Sequence, residues 1–170
     1  IANGLALAVL VGKKELMQEL SQLQVSGTYF GDVLSMAVAV ETIKFMEEKE
    51  VITALKSKGD LFNERLRRII ASNSLDGTSM VRLKGFGPWS AFVWGENYVD
   101  EENYFLQEIV KRGILYSRDH FIMYAHSEED VQRTLSVYDE VLSEIRYYHS
   151  KGTKVCEKLE GGIDKGLFPR

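Results

Sequence analysis

A single cysteine, Cys156, stands in 170 residues. No intrachain disulfide can form and no thiolate metal cluster can be built, and a reducing, cytoplasmic setting fits. An excess of positive charge is also missing. The net charge is -4 with both signs mixed along the chain, which argues against a nucleic-acid partner, whose surface would need clustered Lys and Arg. The three histidines, His120, His126 and His149, share no metal-ligand spacing with nearby carboxylates, so no metal is expected. No apolar run approaches the roughly 20 residues of a membrane helix, and the front of the chain has neither the basic start nor the small-residue cleavage site of a signal peptide. Ser26 and Ser35 lack the surroundings of a nucleophile elbow. Gly85-Phe86-Gly87 runs into Pro88-Trp89 instead of a helix and so fails the dinucleotide fingerprint. There is no internal repeat and no low-complexity tract.

What is present is ordinary globular material, 45% hydrophobic and 27% charged. The chain opens on Ile1 in an apolar stretch that holds Asn3-Gly4. This reads as a start inside a larger protein, after a turn and before a buried strand over 6–11; a start created by processing is the alternative. A short helix is expected over 13–23, with Leu16, Met17 and Leu20 on one side. A second, from about Asp32 to Glu48, has Asp32 as N-cap. It is apolar over most of its girth, which predicts burial. Glu47, Glu48 and Glu50 read as its solvated end. A third spans 51–71 with Ile52, Leu55, Leu61, Leu66, Ile69 and Ile70 as its core side; Gly59 interrupts that pattern.

The texture changes after the turn-rich "NSLDGTS". "MVRLKGFGPWSAFVWG" reads as two strands around a bend at 85–88, and Trp89, Phe92 and Trp94 as core. Asp100 is expected to cap a helix that runs to Arg112 and stops at Gly113. "ILYS" and "FIMYAH" read as short strands, with His126 a packing or turn residue. A final helix starts at Ser127 and Asp130, which resemble a capping box, and carries the stripe Val131, Leu135, Tyr138, Leu142 and Ile145. The pattern from 72 to 149 predicts a small sheet with helices on one face. The tail from Lys151 shows little periodicity.

One stretch is open to two readings. "SGTYFG", residues 26–31, leads into the second helix. A Gly-Thr pair there offers main-chain N–H groups, a hydroxyl and the positive end of a helix dipole to an anion. It could equally be a plain turn.

Three segments carry a resemblance: "IANGLALAVLVGKKELM", "SGTYFGDVLSMAVAVETIKFM" and "RGILYSRDHFIMYAHSEEDVQRTL". In this order and spacing they resemble the C-terminal portion of a class III aminotransferase, and most of all the glutamate-1-semialdehyde aminomutase branch. The resemblance covers nearly all of 1–149. It implies an α/β, fold type I enzyme that depends on pyridoxal 5'-phosphate. Residues 1–48 would close its large cofactor-binding domain, and 49–170 would form the small α+β C-terminal domain with a tail. The Schiff-base lysine would lie two residues before Ile1, so no catalytic residue is expected in this chain. Gly27 and Thr28 match the family segment that binds the cofactor phosphate of the partner in a homodimer. Tyr29 and Phe30 would wall that neighbouring site and touch substrate. The family often has Asn-Pro where this chain has Asp32-Val33. Arg118 is expected in a salt bridge more than on a substrate carboxylate. The implied function is transfer of an amino group between small molecules, with a non-catalytic regulatory or assembly module as the rival.

Overall fold

In a computed structural model the chain is described over residues 1–75, 79–116 and 118–160. It divides into two compact units, Ile1–Ile52 and Thr53–Arg170.

The first unit begins with a tight turn. Asn3 and Gly4 both have positive φ, and the Leu5 N–H reaches the Ala2 carbonyl at 3.2 Å. The run that follows, expected as a buried strand, forms no strand and lies largely exposed. A strand needs a hydrogen-bonded neighbour, and none among the described residues pairs with it. Helix α1, Lys14–Glu19, passes into a 3-10 turn over Leu20–Gln22. Helix α2, Val33–Glu48, starts where its N-cap chemistry predicts: Asp32 accepts from the N–H groups of Leu34 and Ser35 at 3.1 and 3.4 Å. Its expected burial does not hold. Only Ser35 and Ala39 are buried, while Val33, Leu34, Met36, Val40, Ile43 and Phe45 are exposed. An apolar surface on every side specifies burial only where something lies on every side.

The second unit is built around a real core. Helix α3, Val51–Ser72, supplies it with Phe62, Leu66 and Ile70. Ile52 and Leu61, expected on that side, are exposed instead. Gly59 does not break the rod. A Cβ there would lie 2.1 Å from the Gly87 carbonyl oxygen and 2.6 Å from Pro88 N, so glycine lets the helix cross the hairpin turn at main-chain contact. That hairpin joins β1, Val81–Phe86, to β2, Trp89–Trp94, in antiparallel register, and β3, Asp119–Phe121, pairs with β2 on the other side. "FIMYAH" therefore gives a strand only at its first residue, and Ile114–Tyr116 of "ILYS" is not a strand; Ser117 lies outside the described residues. Side-chain bonding replaces the ladder here. The Tyr116 hydroxyl accepts from Phe92 N–H and donates to the Arg118 carbonyl.

Period-2 alternation turns Val81, Ser90, Phe92, Trp94 and His120 inward. Trp89 goes the other way and is exposed, which corrects its assignment to the core. Helix α4, Val99–Lys111, is capped at Tyr98 without a side-chain bond; Asp100 sits inside its first turn and is not the cap. Gly113, at φ 82, ends it, with its N–H on Val110 O. Helix α5, Glu128–Ser150, has the capping box of Ser127 and Asp130 in full, and its entire expected stripe is buried. Phe105 of α4 lies 5.1 to 5.6 Å from the rings of Phe92, Trp94 and Tyr138, so sheet and helices share one aromatic core. A short 3-10 turn, Val155–Lys158, tucks Val155 into it. Among the described residues no helix is long and apolar enough to cross a membrane.

Candidate functional site

Two overlapping turns shape the stretch 26–32. Phe30 N–H reaches Gly27 O at 3.2 Å, and Asp32 N–H reaches Tyr29 O at 3.1 Å. The first turn folds the Phe30 ring onto Gly27. A Cβ at Gly27 would lie 2.7 Å from that ring, so this position tolerates only glycine without a shift. Gly27, Thr28, Tyr29 and Phe30 then line one hollow together with Ala6, Leu7, Ala8 and Met36. The four site residues read from the sequence are thus brought together, all exposed.

Asp32 takes two N–H groups of the helix start, as its N-cap role predicts, and these are not open to an anion. Its other oxygen also accepts from the Ser35 hydroxyl at 2.7 Å. That hydroxyl is the main cause holding the Asp32 carboxyl below the usual range, aided by the two N–H groups and opposed by desolvation. The positive end of α2 is therefore answered from within. Thr28 remains available as a donor. Among the described residues, nothing takes up its hydroxyl or its main-chain N–H. Together they fit one edge of a phosphate, not the whole of it.

No metal-binding group of three or more His, Cys, Asp or Glu side chains exists among the described residues. His126 is a turn residue: its Nδ1 accepts from Met123 N–H at 3.2 Å, and its own N–H reaches Met123 O. Arg118 faces Glu102 at 4.0 Å, a salt-bridge distance, from a left-handed backbone at φ 70.

Sequence reasoning missed a polar cluster on the inner sheet face. His120 Nδ1 lies 3.3 Å from the Ser90 hydroxyl, which suggests a nucleophile and its base. The hydroxyl, however, donates to Asn63 Oδ1 at 2.8 Å, and Asn63 Nδ2 donates to Gly87 O at 3.1 Å. The serine proton points away from the imidazole and the cluster is buried, so it joins α3 to the hairpin and performs no nucleophilic chemistry. The signal available was polar residues at inward positions of two strands otherwise filled with aromatics.

The aminotransferase class-III sequence pattern matches residues 1–131. The chain belongs to the class III aminotransferase family. It is 25% identical over 154 residues to the 3-aminobutyryl-CoA aminotransferase of Cloacimonas acidaminovorans, covering 86% of this chain and 36% of that protein. It is 26% identical over 159 residues to the glutamate-1-semialdehyde 2,1-aminomutase of Methanosarcina acetivorans, covering 84% and 37%. This class III chain thus spans little more than a third of the curated relatives it matches. In fold it resembles the FumI protein of Sphingopyxis sp. MTA144, solved in its PLP internal aldimine form. The TM-score is 0.70 at 18% identity, over 82% of this chain and 34% of that one. A transaminase from a marine Virgibacillus gives 0.60 at 16%, over 79% and 35%. Its architecture is the C-terminal part of an α/β, fold type I transferase.

Proposed function

We propose that this chain is the C-terminal part of a pyridoxal-phosphate-dependent aminotransferase or aminomutase and works as a homodimer in the cytoplasm. The single observation that carries the site assignment is the Thr28 hydroxyl and N–H, both without a partner among the described residues, in a hollow that Gly27 shapes. Residues 1–48 finish the large domain and 49–170 form the small one.

Pyridoxal phosphate, when bound, supplies the electron sink that lets an amino group leave one carbon and join another. The lysine that carries the cofactor lies two residues ahead of Ile1 in the full enzyme. This chain's part is binding. Thr28 would hold the cofactor phosphate of the sister subunit with its hydroxyl and N–H, and a charge-assisted bond of this kind would fix position as well as affinity. Tyr29 and Phe30 shield the neighbouring active site from water and wall the substrate. The amino donor and acceptor are small molecules.

The test is cofactor affinity in the assembled dimer. Thr28→Val should weaken it about 10- to 100-fold, as loss of one hydrogen bond to a charged group implies, and Thr28→Ser should restore most of it. Equal affinity in all three overturns the site. The purified 170-residue chain alone should show no transaminase turnover; turnover by it would refute the upstream lysine. A regulatory or assembly module built on the same fold is the second reading, and a gene without a lysine codon ahead of Ile1 would favour it.

A further inference from the structure

The second unit holds a group that the proposed function does not use, the buried imidazole of His120. Its ring is walled on every packed element. Tyr116 stacks on it at 4.8 Å and 28°, and Phe92 of β2 meets it edge-on at 4.8 Å. Phe62 of α3 stands at 5.3 Å and Tyr138 of α5 at 5.6 Å. Nδ1 lies 3.2 Å from the Ser90 carbonyl oxygen. A carbonyl can only accept, so Nδ1 carries the proton. Nε2 is then a bare lone pair, buried and without a partner.

We propose that His120 is an acid-sensitive latch: the neutral ring pins β3 to β2, and placing a second proton on Nε2 drives β3 off. An imidazolium there would have an N–H with nothing to accept it, in an apolar shell. No group, titratable or not, lies within hydrogen-bond reach of Nε2 among the described residues. Burial pushes the Tyr116 and Tyr138 hydroxyls up, so neither ionises to offer a negative charge. Asp119, His126 and Asp130 line the adjoining cavity of about 150 Å³. There Asp130 is occupied by the Ser127 N–H and hydroxyl, and His126 by Met123. Lys58 of α3 donates to the Tyr124 and His126 carbonyls and adds only positive charge. Burial depresses the His120 pKa to about 4, opposed only by the bond to Ser90.

A histidine with a lowered folded pKa leaves the native state with fewer protons than the unfolded one. Its stability is complete above about 6.5, the unfolded value, and drains as pH falls from there to about 4. Over that span this group alone should raise the opening constant on the order of 100-fold.

The experiment follows the imidazole nitrogens of the intact chain by NMR from pH 7.5 to 4, with urea unfolding of wild type and His120→Phe at both ends. His120 should keep its Nδ1–H form to below pH 5. The Ile122 amide, bonded to the Pro88 carbonyl at 2.9 Å, should exchange faster as pH falls, after correction for intrinsic rates. His120→Phe should flatten both trends. A His120 titration near 6.5, or equal acid sensitivity in the variant, overturns the latch. Should His120→Phe fail to fold, the wild-type titration and the Ile122 exchange decide.

Discussion

The more apolar of the two units is the one left largely uncovered. Thr53–Arg170 closes an aromatic core in which Phe105, Leu66 and Ile109 are wholly buried. Ile1–Ile52 buries Ala2, Ser35, Ala39 and Val51 and leaves Leu10, Val11, Val33 and Leu34 exposed. The contrast teaches that hydrophobic content sets the demand for burial, whereas burial itself needs partner surfaces of the right shape. In the second unit three helices and a sheet meet within one stretch of chain. In the first unit apolar side chains such as Val9, Leu10 and Val33 stay exposed.

The largest effect expected from this contrast is at Phe105. Phe105→Ala should cost about 3–5 kcal/mol in urea unfolding, the range for a buried aromatic, while Val40→Ala in α2 should cost under about 1 kcal/mol in the chain alone. Comparable losses would erase the distinction between the units. Next come the glycines. Gly59→Ala should destabilise by about 1–3 kcal/mol through its clash with Gly87, despite the helical preference for alanine. Gly31→Ala, with nothing within 4 Å of its added Cβ, should change stability by no more than about 0.5 kcal/mol. A benign Gly59→Ala would show that helix and hairpin cross less closely.

Helix caps sharpen the comparison further, because local chemistry should act alike in both units. Ser127→Ala should cost about 1 kcal/mol. Asp32→Ala should lower helicity by circular dichroism, and Asp32→Asn should largely keep it. Since the Asp32 pKa is lowered in the fold, its contribution is present above the ordinary carboxylate range and fades as pH falls through it. A flat acid titration of α2 helicity would contradict that. The smallest effect belongs to Thr28→Val, which should leave unfolding of the chain unchanged within about 0.5 kcal/mol; a larger loss would mean the side chain has a structural partner.

Much of the second unit was legible from local pattern. The capping box at Ser127, the stop at Gly113 and the hairpin around 85–88 need only neighbours in sequence. Where the reading failed, distant residues decided. Gly59 looked like a defect until the hairpin crossed it. Asp100 looked like a cap, but the helix begins one residue earlier. Trp89 shares its composition with Phe92 and differs only in the sheet face it occupies. The stretch 6–11 has a strand's composition and no strand beside it. At the candidate site, sequence singled out Gly27 to Phe30 and the Asp32 cap, and only the fold showed the Phe30 ring lying against Gly27.

The sequence by itself determined which segments are helical, the caps at Asp32 and Ser127 and to which family the chain is similar, because those follow from short-range hydrogen bonding and ordered motifs. Tertiary structure alone decided which apolar faces are covered, which glycine permits a main-chain crossing and which histidine is buried with one ring nitrogen unpartnered. Those outcomes depend on contacts between residues far apart in the chain, such as Asn63 with Gly87 and Ser90 with His120, and no local pattern encodes such distances.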